Sequence, residues 1–197
     1  MNLPNKISVF RILLVPVIAL IYLFPYAQFG IEVLEFDISF VTLKLTNIIV
    51  LILFGIASFT DFLDGYLARK NNMITSFGKF MDPIADKLLV NTMLILFAAT
   101  GRAPIVAVLV MIWRDVIVDG LRMNASSKGV VVAAGMMGKI KTVVQMLAIA
   151  VLLINNLPFE LLRFPMGDFL IWFAMMVSVL SGISYFLQLK DVILESM

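Results

Sequence analysis

Four aspartates at helical spacing interrupt a chain that is otherwise mostly apolar. Asp61 and Asp64 are three residues apart, and Asp82 and Asp86 are four apart. On an α-helix each pair shares one face. A carboxylate at the centre of a membrane helix costs roughly 2.5–3.5 kcal/mol, and less near the interface. Four of them drawn to one place would also repel, driving some to take up protons. A positive partner is therefore needed. Arg69, Lys79 and Lys87 are too few and lie largely on other helical faces. Divalent cations meet the need, because carboxylate oxygens are hard ligands suited to Mg²⁺, Mn²⁺ or Ca²⁺. Two such ions about 3.5–4 Å apart suit an in-line displacement at phosphorus. Gly65 and Ala68 follow the first pair, and Gly78 precedes the second by one turn. Their small size would let a flat or phosphorylated ligand approach the backbone; the alternative is close helix packing.

The elements that carry these residues follow from composition. The chain has 197 residues, 62% of them hydrophobic and 14% charged, with mean hydropathy +1.06. Soluble domains are about a quarter charged, so lipid is the expected solvent. The chain has no Cys and no His, which excludes disulfides, thiolate or imidazole metal sites and histidine acid–base chemistry. Any metal must be held by oxygen. Apolar stretches at 7–28, 41–68, 79–100, 104–124, 136–156 and 166–189 predict an all-α membrane protein, a bundle of six transmembrane helices forming one domain over 1–197. Continuous apolar runs of this length argue against strands. The first run lacks a small-residue cleavage site and is expected to be retained as a span. Asn2 to Arg11 is expected along the membrane surface before it, with Asn5 or Ser8 as a helix cap.

Most of the basic residues, including Lys6, Arg11, Arg69, Lys70, Lys139 and Lys190, fall on one side of this arrangement. Lys44, Arg102 and Arg163 fall on the other. The asymmetry places both termini and the four aspartates on the cytoplasmic side. A net charge of +2 is too small to argue for nucleic acid. The 13 methionines read as flexible apolar filler.

From Asp61 to Asp86 the pattern is Asp-x2-Asp-Gly-x2-Ala-Arg-x8-Gly-x3-Asp-x3-Asp. It resembles, without departure, the signature of the CDP-alcohol phosphotransferase family. Leu3-Pro4-Asn5-Lys6-Ile7-Ser8 with Arg11, the run Phe80 to Lys87, Arg114-Asp115, Leu121-Arg122 and Gly138 to Thr142 further resemble the family's bacterial phosphatidylglycerophosphate synthase branch. Two departures are Asp115, where the branch usually has Glu, and Ser8, where it often has Thr. The resemblance implies a six-helix bundle, a homodimer, a bacterial cell membrane and a polar cavity open to the cytoplasm. It implies that Asp61, Asp64, Asp82 and Asp86 bind Mg²⁺ or Mn²⁺, as two ions, with Asp86 also the general base. It implies that Gly65, Ala68, Arg69 and Gly78 hold the CDP-diacylglycerol donor, with Asn5 approaching the nucleotide pocket.

Under the branch resemblance the acceptor is glycerol 3-phosphate, whose dianionic phosphate needs cations. Arg114, Arg122, Lys139 and Lys141 are the candidates. Arg114 leads because it interrupts an apolar run and an Arg fork suits phosphate; its alternative is a pair with Asp115, Asp119 or a motif aspartate. For Arg122, Lys139 and Lys141 the alternative is anchoring at the membrane surface. Sister enzymes acting on inositol phosphate, serine or phosphatidylglycerol would share the metal site. A cation transporter would also need intramembrane carboxylates, but no second set at matching depth continues a path outward.

Overall fold

The computed structural model describes residues 2–38, 41–70, 76–130 and 135–194. Within these, the side chains at 3–4, 61–70, 76–80, 82–83 and 191–194 lie outside the description. The described chain is mostly helical. Its long helices are α1 (Leu3–Leu23), α2 (Leu45–Lys70), α3 (Ser76–Ala99), α4 (Ile105–Ser127) and α5 (Met136–Leu153). A short α6 (Leu157–Glu160) leads to the last long helix, α7 (Met166–Leu194). Among the described residues, segments of three helices, Asn5–Leu23, Met136–Leu153 and Met166–Lys190, are long and apolar enough to cross a membrane. Leu45–Thr60 is a shorter apolar stretch. The chain is therefore a helical membrane protein.

The chain forms two compact units. The first comprises residues 1–97 and 150–164, the second 98–149 and 165–197. In the first, α1 packs against α2. Its helix starts at Leu3, directly after the N-cap residue Asn2, so the segment expected along the membrane surface enters α1 without a break. Asn5 and Ser8 are interior helical residues rather than caps. With Arg11 they form a buried polar stripe at intervals of three, which Val15 and Ile18 continue as apolar core. Arg11 is 0% exposed.

Helix α1 ends at Leu23 rather than at the expected residue 28. Pro25 disfavours helical geometry at Phe24, and a 3₁₀ turn, Tyr26–Phe29, follows. Gly30 closes that turn at φ 66°, which suits glycine. Strands, which the apolar runs argued against, occur here. β1 (Glu35–Ile38) pairs antiparallel with β2 (Val41–Lys44), Glu35 opposite Lys44 and Asp37 opposite Thr42. Both segments alternate polar and apolar residues, a period of two that sliding hydropathy over a long window averages away. The Thr42 hydroxyl donates to Asp37 at 2.7 Å. Residues 41–44, expected to open the second span, thus belong to a hairpin, and α2 begins at Leu45.

In the second unit α4 packs against α7. Val108, Met111, Asp115, Val118 and Ala125 form the buried seam of α4. Ile171, Ala174, Ser178, Ser181, Tyr185 and Leu189 form that of α7. Both follow the three-and-four spacing of a helix contact. Helix α5 stops at Leu153, short of the expected residue 156. Asn155 and Asn156 then adopt left-handed geometry, which asparagine tolerates. Asn156 donates to the Phe164 carbonyl at 2.8 Å, closing the loop.

Candidate active site

The motif lies on two uninterrupted helices of the first unit. Asp61, Asp64, Gly65, Ala68 and Arg69 belong to the last three turns of α2. Gly78, Asp82 and Asp86 belong to the first three turns of α3. The spacings of three and four are therefore true helical spacings, so Asp61 and Asp64 share a face of α2, and Asp82 and Asp86 a face of α3. Asp86 is half-buried. The side chains of Asp61, Asp64, Ala68, Arg69 and Asp82, with the surroundings of Gly65 and Gly78, lie outside the described residues, as do residues 71–75 that join the helices. The donor set suits a hard divalent cation by its chemistry: it consists of carboxylates alone, in a chain without Cys or His.

Asn5, named as a residue near the nucleotide, is 7% exposed on the buried face of α1. Its neighbours along that face, Ser8 and Arg11, are also buried. A buried arginine on an apolar helix is costly and marks a functional surface more often than a structural one.

The basic residues separate into two kinds. Arg122 on α4 and Lys139 on α5 are exposed. Arg114 and Lys141 are drawn into a polar network between α4, α5 and α7. Arg114 takes the pair with Asp115 that was weighed against a free phosphate fork. Its Nη1 donates to Asp115 Oδ1 at 3.0 Å. Its Nε donates to the Ser178 carbonyl at 3.1 Å and its Nη2 to the Ser181 hydroxyl at 2.5 Å. The guanidinium carbon lies 5.6 Å from the centre of the Tyr185 ring, within cation–π range. The Lys141 ammonium donates to both carboxylate oxygens of Asp115. The Tyr185 hydroxyl accepts from the backbone N–H of Gly135 at 2.8 Å, immediately before α5.

Sequence reading named Arg114, Asp115 and Lys141 but missed Ser178, Ser181, Gly182 and Tyr185. A signal for them existed. Ser178, Ser181 and Tyr185 recur at three-and-four spacing in an otherwise apolar helix, the pattern of polar residues turned toward a neighbour.

Comparison with known proteins agrees with the motif. The pattern of the CDP-alcohol phosphatidyltransferase family matches residues 1–180. A Bacillus subtilis (strain 168) protein is 47% identical over 185 residues, covering 94% of this chain and 93% of its own. A Rickettsia typhi protein is 33% identical over 190 residues, covering 96% and 97% respectively. A Mycoplasma genitalium protein is 39% identical over 150 residues, covering 75% of this chain and 63% of its own. Each of these relatives carries the name CDP-diacylglycerol--glycerol-3-phosphate 3-phosphatidyltransferase. With an unbroken signature motif on two helices and a match through nine-tenths of its length, this chain belongs to the CDP-alcohol phosphatidyltransferase family.

Proposed function

We propose that this protein transfers the phosphatidyl group of CDP-diacylglycerol to glycerol 3-phosphate, giving phosphatidylglycerophosphate and CMP. The observation that carries the reading is the complete aspartate motif on α2 and α3 in a chain 47% identical to a relative named for that reaction. The whole chain, 1–197, acts as one catalytic domain, because the family pattern runs through both compact units.

Asp61, Asp64, Asp82 and Asp86 hold divalent metal, Mg²⁺ or Mn²⁺, as two ions. Bound there, the metal supplies positive charge to the donor's diphosphate. Gly65, Ala68 and Gly78 leave the helix surfaces low enough for the cytidine and diphosphate, Arg69 adds charge, and Asn5 contributes from α1. Asp86 accepts the proton of the acceptor hydroxyl. The hydroxyl oxygen then bonds to the lipid-side phosphorus, and the bond from that phosphorus to the CMP oxygen breaks. Arg122, Lys139, Lys141 and Arg114 serve the phosphate of glycerol 3-phosphate, the exposed pair by direct approach. The six long helices form the spans of a bacterial cell-membrane protein, with both termini and the metal site at the cytoplasmic face. The active form is a homodimer.

The test is CMP release by the purified protein from CDP-diacylglycerol, with and without glycerol 3-phosphate, in Mg²⁺, Mn²⁺ or EDTA. Metal-dependent release that requires glycerol 3-phosphate is the expected result. Release that requires serine, inositol phosphate or phosphatidylglycerol instead would keep the family and overturn the acceptor. Absence of release with every acceptor, in folded protein, would overturn the reaction.

A further inference from the structure

A carboxylate on the buried seam of α4 has to be explained, because burying a charge among apolar helices is unfavourable unless it is paired. Asp115 is 4% exposed. It receives Arg114 from its own helix and Lys141 from α5. Arg114 is in turn seated in a notch of α7. The Ser178 carbonyl and Ser181 hydroxyl accept two of its N–H groups, and its Cγ lies against Gly182. A Cβ built on Gly182 would come within 3.0 Å of that carbon, so glycine is what leaves room for the side chain. The same helix reaches the start of α5 through the Tyr185–Gly135 hydrogen bond. A Cβ on Gly138, one turn into α5, would lie 3.6 Å from the Tyr185 hydroxyl, so the first turn of α5 runs close against α7. One route thus leads from α7 through Arg114 and Asp115 to Lys141, and a second leads directly from Tyr185 to the start of α5.

We propose that Asp115 is a positioning residue for the acceptor: seated through Arg114 in the Ser181–Gly182 notch of α7, it fixes the Lys141 ammonium and the first turns of α5, including Lys139, for the acceptor's phosphate. The inference rests on the reading of glycerol 3-phosphate as acceptor. Asp115 itself touches no substrate; it acts through the two cations. Replacing it with asparagine keeps the shape and removes the charge. Arg114 and Lys141 then become neighbouring like charges in a buried place and separate, and the phosphate loses a preset partner. Glutamate keeps the charge at the cost of one added methylene.

The experiment is steady-state CMP release by the full chain in mixed micelles, with glycerol 3-phosphate and CDP-diacylglycerol titrated separately, for wild type, Asp115→Asn, Asp115→Glu and Gly182→Ala. The expected result for Asp115→Asn is a rise of about tenfold or more in acceptor KM, the scale of breaking a buried charge pair, with donor KM within about twofold of wild type. Asp115→Glu should recover most of that rise. Gly182→Ala, which alters no polar group, should raise acceptor KM by about threefold or more through displacement of Arg114. Equal changes in both KM values, a fall in kcat alone, or a lowered melting temperature with unchanged KM would overturn the proposal. If Asp115→Asn does not fold, Gly182→Ala decides by the same split. Wild-type release that is not saturable in glycerol 3-phosphate would overturn the acceptor reading instead; saturable wild type with unshifted variants overturns only this inference.

Discussion

Ser181→Ala and Arg114→Ala, made singly and together, measure how firmly α7 seats the arginine. Ser181 is 1% exposed, and its hydroxyl accepts from Arg114 Nη2 at 2.5 Å. Removing it leaves that N–H without this acceptor, on a side chain only 12% exposed. Hydrogen bonds to charged groups contribute about 1.5–3 kcal/mol in soluble proteins. Bonds between membrane helices average about 0.6 kcal/mol and reach about 1.7, because the unfolded state in the membrane also finds partners. Arg114 keeps its bonds to Ser178 and Asp115 after the change. A loss of about 1–2 kcal/mol is therefore expected for Ser181→Ala. Arg114→Ala removes all three bonds yet leaves Asp115 on Lys141, so it should cost about 2–4 kcal/mol, below the roughly 3–5 of a pair broken outright. The double variant should cost about as much as Arg114→Ala alone, a coupling of about 1–2 kcal/mol. Trp113 on α4 and Trp172 on α7 are the chain's two tryptophans, so their fluorescence during SDS titration of mixed micelles reports on these helices. Additivity within about 0.5 kcal/mol would refute the seat.

Asp61→Asn, Asp64→Asn and Asp82→Asn should each lower CMP release by about 100-fold or more, with partial recovery at raised Mg²⁺ or Mn²⁺ if the lost function is metal affinity. Asp86→Asn should lower kcat by about 100-fold or more while metal affinity falls less; near-normal turnover with metal bound would remove the base role. Arg122→Ala and Lys139→Ala, at exposed positions, should raise acceptor KM by about two- to fivefold with donor KM unchanged. Their effect should shrink between about 0.05 and 0.5 M salt, because exposed charges are screened; a salt-independent effect would argue against direct approach of the phosphate.

The long helices were legible because lipid makes hydropathy a strong signal, and their observed ends fall within a few residues of the apolar stretches. Where the ends moved, short-range chemistry won over the window average. Pro25 stopped α1 early, and the left-handed Asn155 and Asn156 stopped α5. The β1–β2 hairpin was missed because four-residue strands vanish in a window scaled to a span, although Glu35 to Ile38 alternates polar and apolar. Asp61 and Asp64 in α2, Asp82 and Asp86 in α3, and Arg114 and Asp115 in α4 are charges set within otherwise apolar stretches, and they did not hide those stretches.

The motif was legible for the opposite reason: carboxylates on apolar helices have few structural uses, so their spacing carries the chemistry alone. The α7 seat had no such loudness. Serine and glycine cost little in an apolar helix and are common where helices merely pack. Ser178, Ser181 and Gly182 acquire meaning only when Arg114 is seen lying among them. Their chemistry then explains a choice that spacing could not. An aspartate on α7 would have gripped the guanidinium more tightly, but as a second carboxylate beside Asp115 it would have left the two cations with no net charge between them. A carbonyl, a hydroxyl and an aromatic ring fix the direction of Arg114 and leave its charge in place. Asp115 is then the anion against which the network sets both Arg114 and Lys141. That division, neutral acceptors on α7 for direction and one carboxylate shared by two cations for register, holds both side chains and leaves the network with one net positive charge.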